Sequence, residues 1–115
     1  MNIVNLTPHA LNLINTNGLE VVIAPSGLVA RIDTKPALTH TEDGVDFYLT
    51  EVTGEPLVAV AGTAETVEFP APLANTVYAV SGMFRSYFDR QDLYQPAELV
   101  RDGAGKIIGA KGLSR

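Results

Sequence analysis

A chain of 115 residues with 46% apolar content is long enough for one domain with a core, and we read residues 1–115 as a single β-rich domain. The absence of cysteine excludes disulfides and thiolate zinc sites, and fits a reducing compartment. A net charge of −5 argues against a bulk nucleic-acid coat, and no apolar run approaches the roughly 20 residues of a membrane helix.

Met1-Asn2-Ile3-Val4-Asn5 has neither the basic nor the apolar region of a secretory leader, so a cytosolic protein is expected. Ile3 to Leu6 reads as a first strand. Thr7-Pro8-His9 interrupts it with a turn or bulge. Leu11 to Asn15 alternates apolar and polar residues, the period of a half-buried strand. Asn17-Gly18 supplies positive φ at low cost and turns the chain into Leu19 to Ile23. Pro25-Ser26-Gly27 turns again into Leu28 to Ile32, with Arg31 on the face opposite Ala30 and Ile32. Lys35-Pro36 is expected to break that run. Ala37 to Thr41 and Val45 to Val52 read as the arms of a hairpin around Glu42-Asp43-Gly44.

Weaker strands follow at Leu57 to Ala61 and Thr66 to Phe69, then the rigid break Pro70-Ala71-Pro72 and a buried strand at Thr76 to Val80. The period then changes. Met83, Phe84, Tyr87 and Phe88 share one helical face, and Ser81 is a suitable N-cap, so one short helix is predicted near 82–91. Glu98 to Arg101 and Lys106 to Ala110 are read as a last hairpin around Asp102-Gly103-Ala104-Gly105, and Gly112 to Arg115 as a loose end. Short strands with turns about every 8–12 residues predict a mainly β fold. A small barrel or sandwich of consecutive antiparallel hairpins is expected.

Charge is uneven. Residues 1–84 carry two basic and nine acidic side chains; residues 85–115 carry six and four. An anionic ligand is therefore expected toward the C-terminal third, unless the block is only a solvated surface. His9, beside a rigid bend, is either an acid–base group or a structural histidine that fixes the bend. Two histidines far apart cannot supply a three-histidine metal site, and Glu42, Asp43 and Asp46 read as a solvated turn, so no metal and no cofactor are expected. Arg85 and Asp89 have the spacing of a surface ion pair. Arg90 carries a planar donor fork suited to a phosphate or carboxylate. Asp102 reads as a turn residue, while Arg101 is freer to reach a ligand.

These irregular points also carry a resemblance. Asn5-Leu6-Thr7-Pro8-His9, Pro25-Ser26-Gly27 with Ala30-Arg31, and Val77 to Ser81 are its first part. Arg90-Gln91-Asp92, Pro96 and Val100-Arg101-Asp102 through Gly109 complete it. Together they resemble an uncharacterised family of small phage and prophage proteins, with 37–69 outside the shared pattern. The resemblance implies a phage-encoded accessory protein in the cytoplasm of the host bacterium, and implies no reaction.

Two functions are weighed on that basis. One is binding, or metal-independent hydrolysis, of a nucleotide or cyclic-nucleotide immune signal to counter host defence. Arg31, Arg90 and Arg101 would then be anion donors, Tyr78 or Tyr87 a stacking surface and Ser81 a polar contact. In the hydrolytic version His9 would be the acid–base group and Asp92 its orienting carboxylate. The other is protein–protein inhibition of a host factor without a small ligand, or a minor virion role. A homo-oligomer is expected in the first case, because small β-domains often bind ligands between subunits.

Overall fold

The computed structural model describes all 115 residues, as eleven strands and one helix. The strands before the long hairpin are β1 (Asn2–Asn5), β2 (Leu11–Ile14), β3 (Glu20–Ile23) and β4 (Leu28–Arg31). The hairpin itself is β5 (Thr34–Glu42) with β6 (Val45–Val52). After it come β7 (Leu57–Val60), β8 (Thr66–Glu68) and β9 (Thr76–Ala79). Helix α1 (Gly82–Tyr87), β10 (Leu93–Arg101) and β11 (Ile107–Ser114) complete the chain. A six-stranded sheet runs β1-β9-β10-β11-β2-β3. A three-stranded sheet runs β4-β7-β8, and β5-β6 stands as a sheet of two.

The fold is mainly β with one short helix, and antiparallel hairpins form where the turn residues predict them. Asp43 and Gly44 both take positive φ, 50° and 77°, the backbone of a two-residue hairpin turn. Asn15 Oδ1 accepts the backbone N–H groups of Asn17 and Leu19 around the Asn17-Gly18 turn. Not every neighbour is a hairpin partner, however. β1 pairs with β9, β9 with β10, and β11 with β2, all in parallel. Turn chemistry specifies only strands adjacent in sequence, so it carries no signal for these pairings.

Several boundaries differ from expectation. β5 runs straight through Lys35-Pro36, with Pro36 opposite Thr50. The hairpin has no third strand, so a proline there removes no ladder bond on the open edge. β10 begins at Leu93 and passes through Pro96. The supposed loose end at 112–114 is strand, pairing Gly112 to Ser114 with Ala97 to Gln95. The helix stops at Tyr87, with Phe88 already extended at its C-cap. Phe88 still packs against the core, which is why the helical periodicity overran the helix.

The main core is Leu6, Tyr78, Val80, Phe84 and Leu93, with Phe69 and Phe88 packed against it. Phe69 organises it. It stacks on Phe84 at 5.4 Å between ring centroids and meets Phe88 edge-on at 5.5 Å, favourable aromatic geometries.

Asn5 closes the six-stranded sheet on itself. It ends β1, one edge of the sheet, and is 1% exposed. Its Nδ2 donates to the carbonyl of Ile23 at the end of β3, the opposite edge. Its own carbonyl accepts from the backbone and hydroxyl of Ser26. The two edges are thereby tied, and the sheet approaches a barrel.

Gly109 makes the other critical approach. A Cβ there would stand 2.7 Å from the carbonyl oxygen of Asn12, backbone that cannot swing aside. The β2–β11 contact rests on a single register pair, Leu13 with Ala110. Gly109→Ala is therefore expected to push β11 off β2 and cost about 1–3 kcal/mol in urea unfolding.

Candidate functional site

Arg90, Asp92, Tyr78 and Ser81 are committed to contacts within the chain. Arg90 Nε and Nη2 grip the two carboxylate oxygens of Asp92 at 2.6 and 2.8 Å. Its Nη1 donates to the carbonyl of Pro70 at 2.7 Å, and its guanidinium lies 5.0 Å from the Phe69 ring centroid. The donor fork is thus spent on the chain itself, locking the Pro70-Ala71-Pro72 break against the core. Asp92 faces Arg90, and no hydrogen bond joins it to His9. Tyr78 is a core residue, 3% exposed, so its ring is not a free stacking surface. Ser81 is the N-cap of α1, accepting the Phe84 N–H at 3.1 Å.

Arg31, Arg101, Tyr87 and His9 are exposed and lie apart in the chain. Arg31 ends β4 and pairs with Asp33 at 3.3 Å, both well solvated. Arg101 ends β10 and donates to the Gly105 carbonyl, across the turn that Asp102 organises through the N–H groups of Ala104 and Lys106. The Arg85–Asp89 pair forms at 3.0 Å.

The Thr-Pro-His segment is held by Asn5. Asn5 Nδ2 donates to the His9 carbonyl at 2.8 Å, and Asn5 Oδ1 accepts from the backbone and hydroxyl of Thr7. Buried Asn5 is therefore a staple that fixes an exposed bend. The backbone of the bend is fixed, and His9 lines a groove.

That groove, of about 670 Å³, lies where β2 meets the β10–β11 hairpin. Leu11, Leu13, Leu99 and Ile107 give it apolar walls, and His9, Asn12, Glu20 and Lys106 supply polar groups. Its cause is local. The register between β10 and β11 shifts at Val100–Arg101, and Glu98 takes φ of 56°. Such irregularities increase twist, and β11 leaves β2 beyond their one register pair. Lys106, Leu99 and Ile107 were not singled out in the sequence. The β10–β11 hairpin brings these three together, and the parallel β2–β11 contact, which leaves no periodic signature, sets them beside Leu11 and Leu13. No three His, Asp or Glu side chains converge as a metal site, and no helix is long and apolar enough to cross a membrane.

Compared with protein-family models, curated proteins and solved structures, the chain matches none.

Proposed function

We propose that this chain is a phage-encoded accessory protein that holds a small anionic, nucleotide-like molecule in the groove between β2 and β10–β11, without chemical change. The cytoplasm of the host bacterium is its place of action, and a cyclic-nucleotide immune signal is the ligand class in view. The groove carries this reading. Its volume falls in the range of small-molecule sites, and its walls offer apolar cover for a flat ring system. Lys106 and the His9 imidazole supply donors for an anion at its rim. Binding is favoured over cleavage because Asp92, the carboxylate considered for orienting His9, is held by Arg90 instead. The phage origin rests on the sequence resemblance.

The test is a melting-temperature screen against mononucleotides and cyclic dinucleotides, with chromatography of the recovered ligand. A ligand at 100 times its Kd stabilises the fold by about 2.7 kcal/mol, so a true ligand gives a plain upward shift. The expected result is a shift with the ligand recovered intact. No shift across the panel rejects the small-ligand reading. It would favour the protein–protein alternative.

A further inference from the structure

We infer that the β5–β6 hairpin is an assembly arm that packs on a second copy of this chain, its acidic tip against the basic β10–β11 region of that copy. The receiving surface includes Leu99, Lys106, Ile107 and Ile108, which also line the groove, so the arm and a ligand would compete for it.

The first observation is the arm's isolation. β5 and β6 pack on each other and on little else. Of their seventeen residues only Ala37 is even half-buried. A two-stranded ribbon on its own is marginal in water. This one also carries large apolar groups on both faces. The register puts Phe47 and Leu49 on one face and Leu38 and Tyr48 on the other. Leu49 is 61% exposed and Tyr48 59%. On the first face His40 lies flat on Phe47, with ring centroids 4.7 Å apart and planes 2° from parallel. The two rings cover one face of each other, and Phe47 remains 42% exposed.

The second observation is the surface of the whole chain. A compact monomer of this 12.3 kDa mass exposes about 6,100 Å². This chain exposes 7664 Å². The excess, about 1,600 Å², is what each partner of a substantial permanent dimer covers. The radius of gyration is likewise 16.9 Å, against about 13 Å for a compact domain of this length. Only ten residues of 115 are buried, so the protomer alone is thinly stabilised.

The third observation chooses the occupant. Residues 34–52 carry Lys35 against Glu42, Asp43, Asp46 and Glu51, a net −3. Residues 93–115 carry Arg101, Lys106, Lys111 and Arg115 against Glu98 and Asp102, a net +2. Exposed Leu99, Ile107 and Ile108 lie among those cations. The chain therefore bears both an acidic apolar arm and a basic apolar surface to receive it. Contacts of this kind between copies are complementary in charge as well as in polarity. Arm-to-arm packing would instead bring two acidic ribbons together.

The arm can be removed cleanly. It is inserted between β4 and β7, which pair directly, and the Thr53 N–H donates to the Asp33 carbonyl at 2.9 Å across its base. The experiment compares the mass in solution, by light scattering on a sizing column, of three proteins. These are the full chain, an excision variant joining Asp33 to Thr53 through a short glycine linker, and Phe47→Glu with Leu49→Glu. Neither change touches the core, and far-UV circular dichroism with a melting curve verifies folding. The full chain is expected at twice the protomer mass or more, and both variants at the protomer mass. A charge-reversal pair, Asp43→Lys with Asp46→Lys, should weaken association about tenfold or more, and Arg101→Glu with Lys106→Glu should restore part of it. A monomeric full chain at tens of micromolar overturns the inference and leaves the arm to a foreign protein. So does an excision variant that still assembles, because the interface then lies elsewhere.

Discussion

Asn5→Ala is expected to lower the unfolding free energy by about 3 kcal/mol, among the largest losses from any single polar side chain in this protein. The side chain is almost fully buried, and all its polar capacity is used. It donates to His9 and Ile23 and accepts twice from Thr7. Each such bond contributes roughly 1 kcal/mol net, and a buried partner left unpaired costs about 1–3 kcal/mol. Alanine strands the Ile23 carbonyl at the closing edge of the sheet and the Thr7 N–H within the bend. Urea unfolding measures the loss directly. A change below about 0.5 kcal/mol would show that the sheet edges are held by something other than Asn5. The same substitution frees the backbone that fixes His9, so ligand binding in the groove should weaken as well.

Arg90→Ala is expected to cost about 2–4 kcal/mol, and Arg90→Lys nearly as much. The pair with Asp92 is mostly shielded, at 21% and 15% side-chain exposure, so solvent screens it less than a surface pair. Removing the guanidinium leaves the Asp92 carboxylate half-buried without its partner. It also removes the bond to Pro70 and the cation over the Phe69 ring. Lysine restores a charge but not the planar fork that meets Asp92, Pro70 and the aromatic face together. The measurement is again urea unfolding, paired with a binding titration on the folded variant. A stability loss with affinity intact identifies Arg90 as a structural staple. Unchanged stability with lost affinity would instead make it a ligand donor.

These two residues show how far the sequence could be read. Asn17-Gly18, Asp43-Gly44 and Asp102 announced their turns because a short-range backbone requirement selects those residue types. Ser81 announced its cap for the same reason. Asn5 and Arg90 stood out as motif residues, but the role of each depends on strands far away in sequence. Asn5 acts because β1 and β3 become opposite edges of one sheet. Arg90 is neutralised because Pro70 and Asp92 converge on it. A charged residue in a motif looks the same whether it meets a ligand or a neighbour. The groove was the least legible feature, since parallel pairing of β2 with β11 has no local signal. The hairpin was visible from Ala37 to Val52, though not its start at Thr34 through Pro36. Its isolation was not, because alternation indicates which faces differ and not whether either is covered.

The proposed groove site is tested most directly by calorimetric titration of a nucleotide that raises the melting temperature, into His9→Ala and Lys106→Glu beside the unaltered protein. Both side chains are exposed, and the His9 imidazole makes no hydrogen bond within the chain, so folding should be preserved. A site in the groove predicts that Lys106→Glu weakens binding of an anionic ligand about tenfold or more, with His9→Ala weakening it less. Unchanged affinity in both variants, with the fold intact, would place the ligand elsewhere and contradict the groove as the working site.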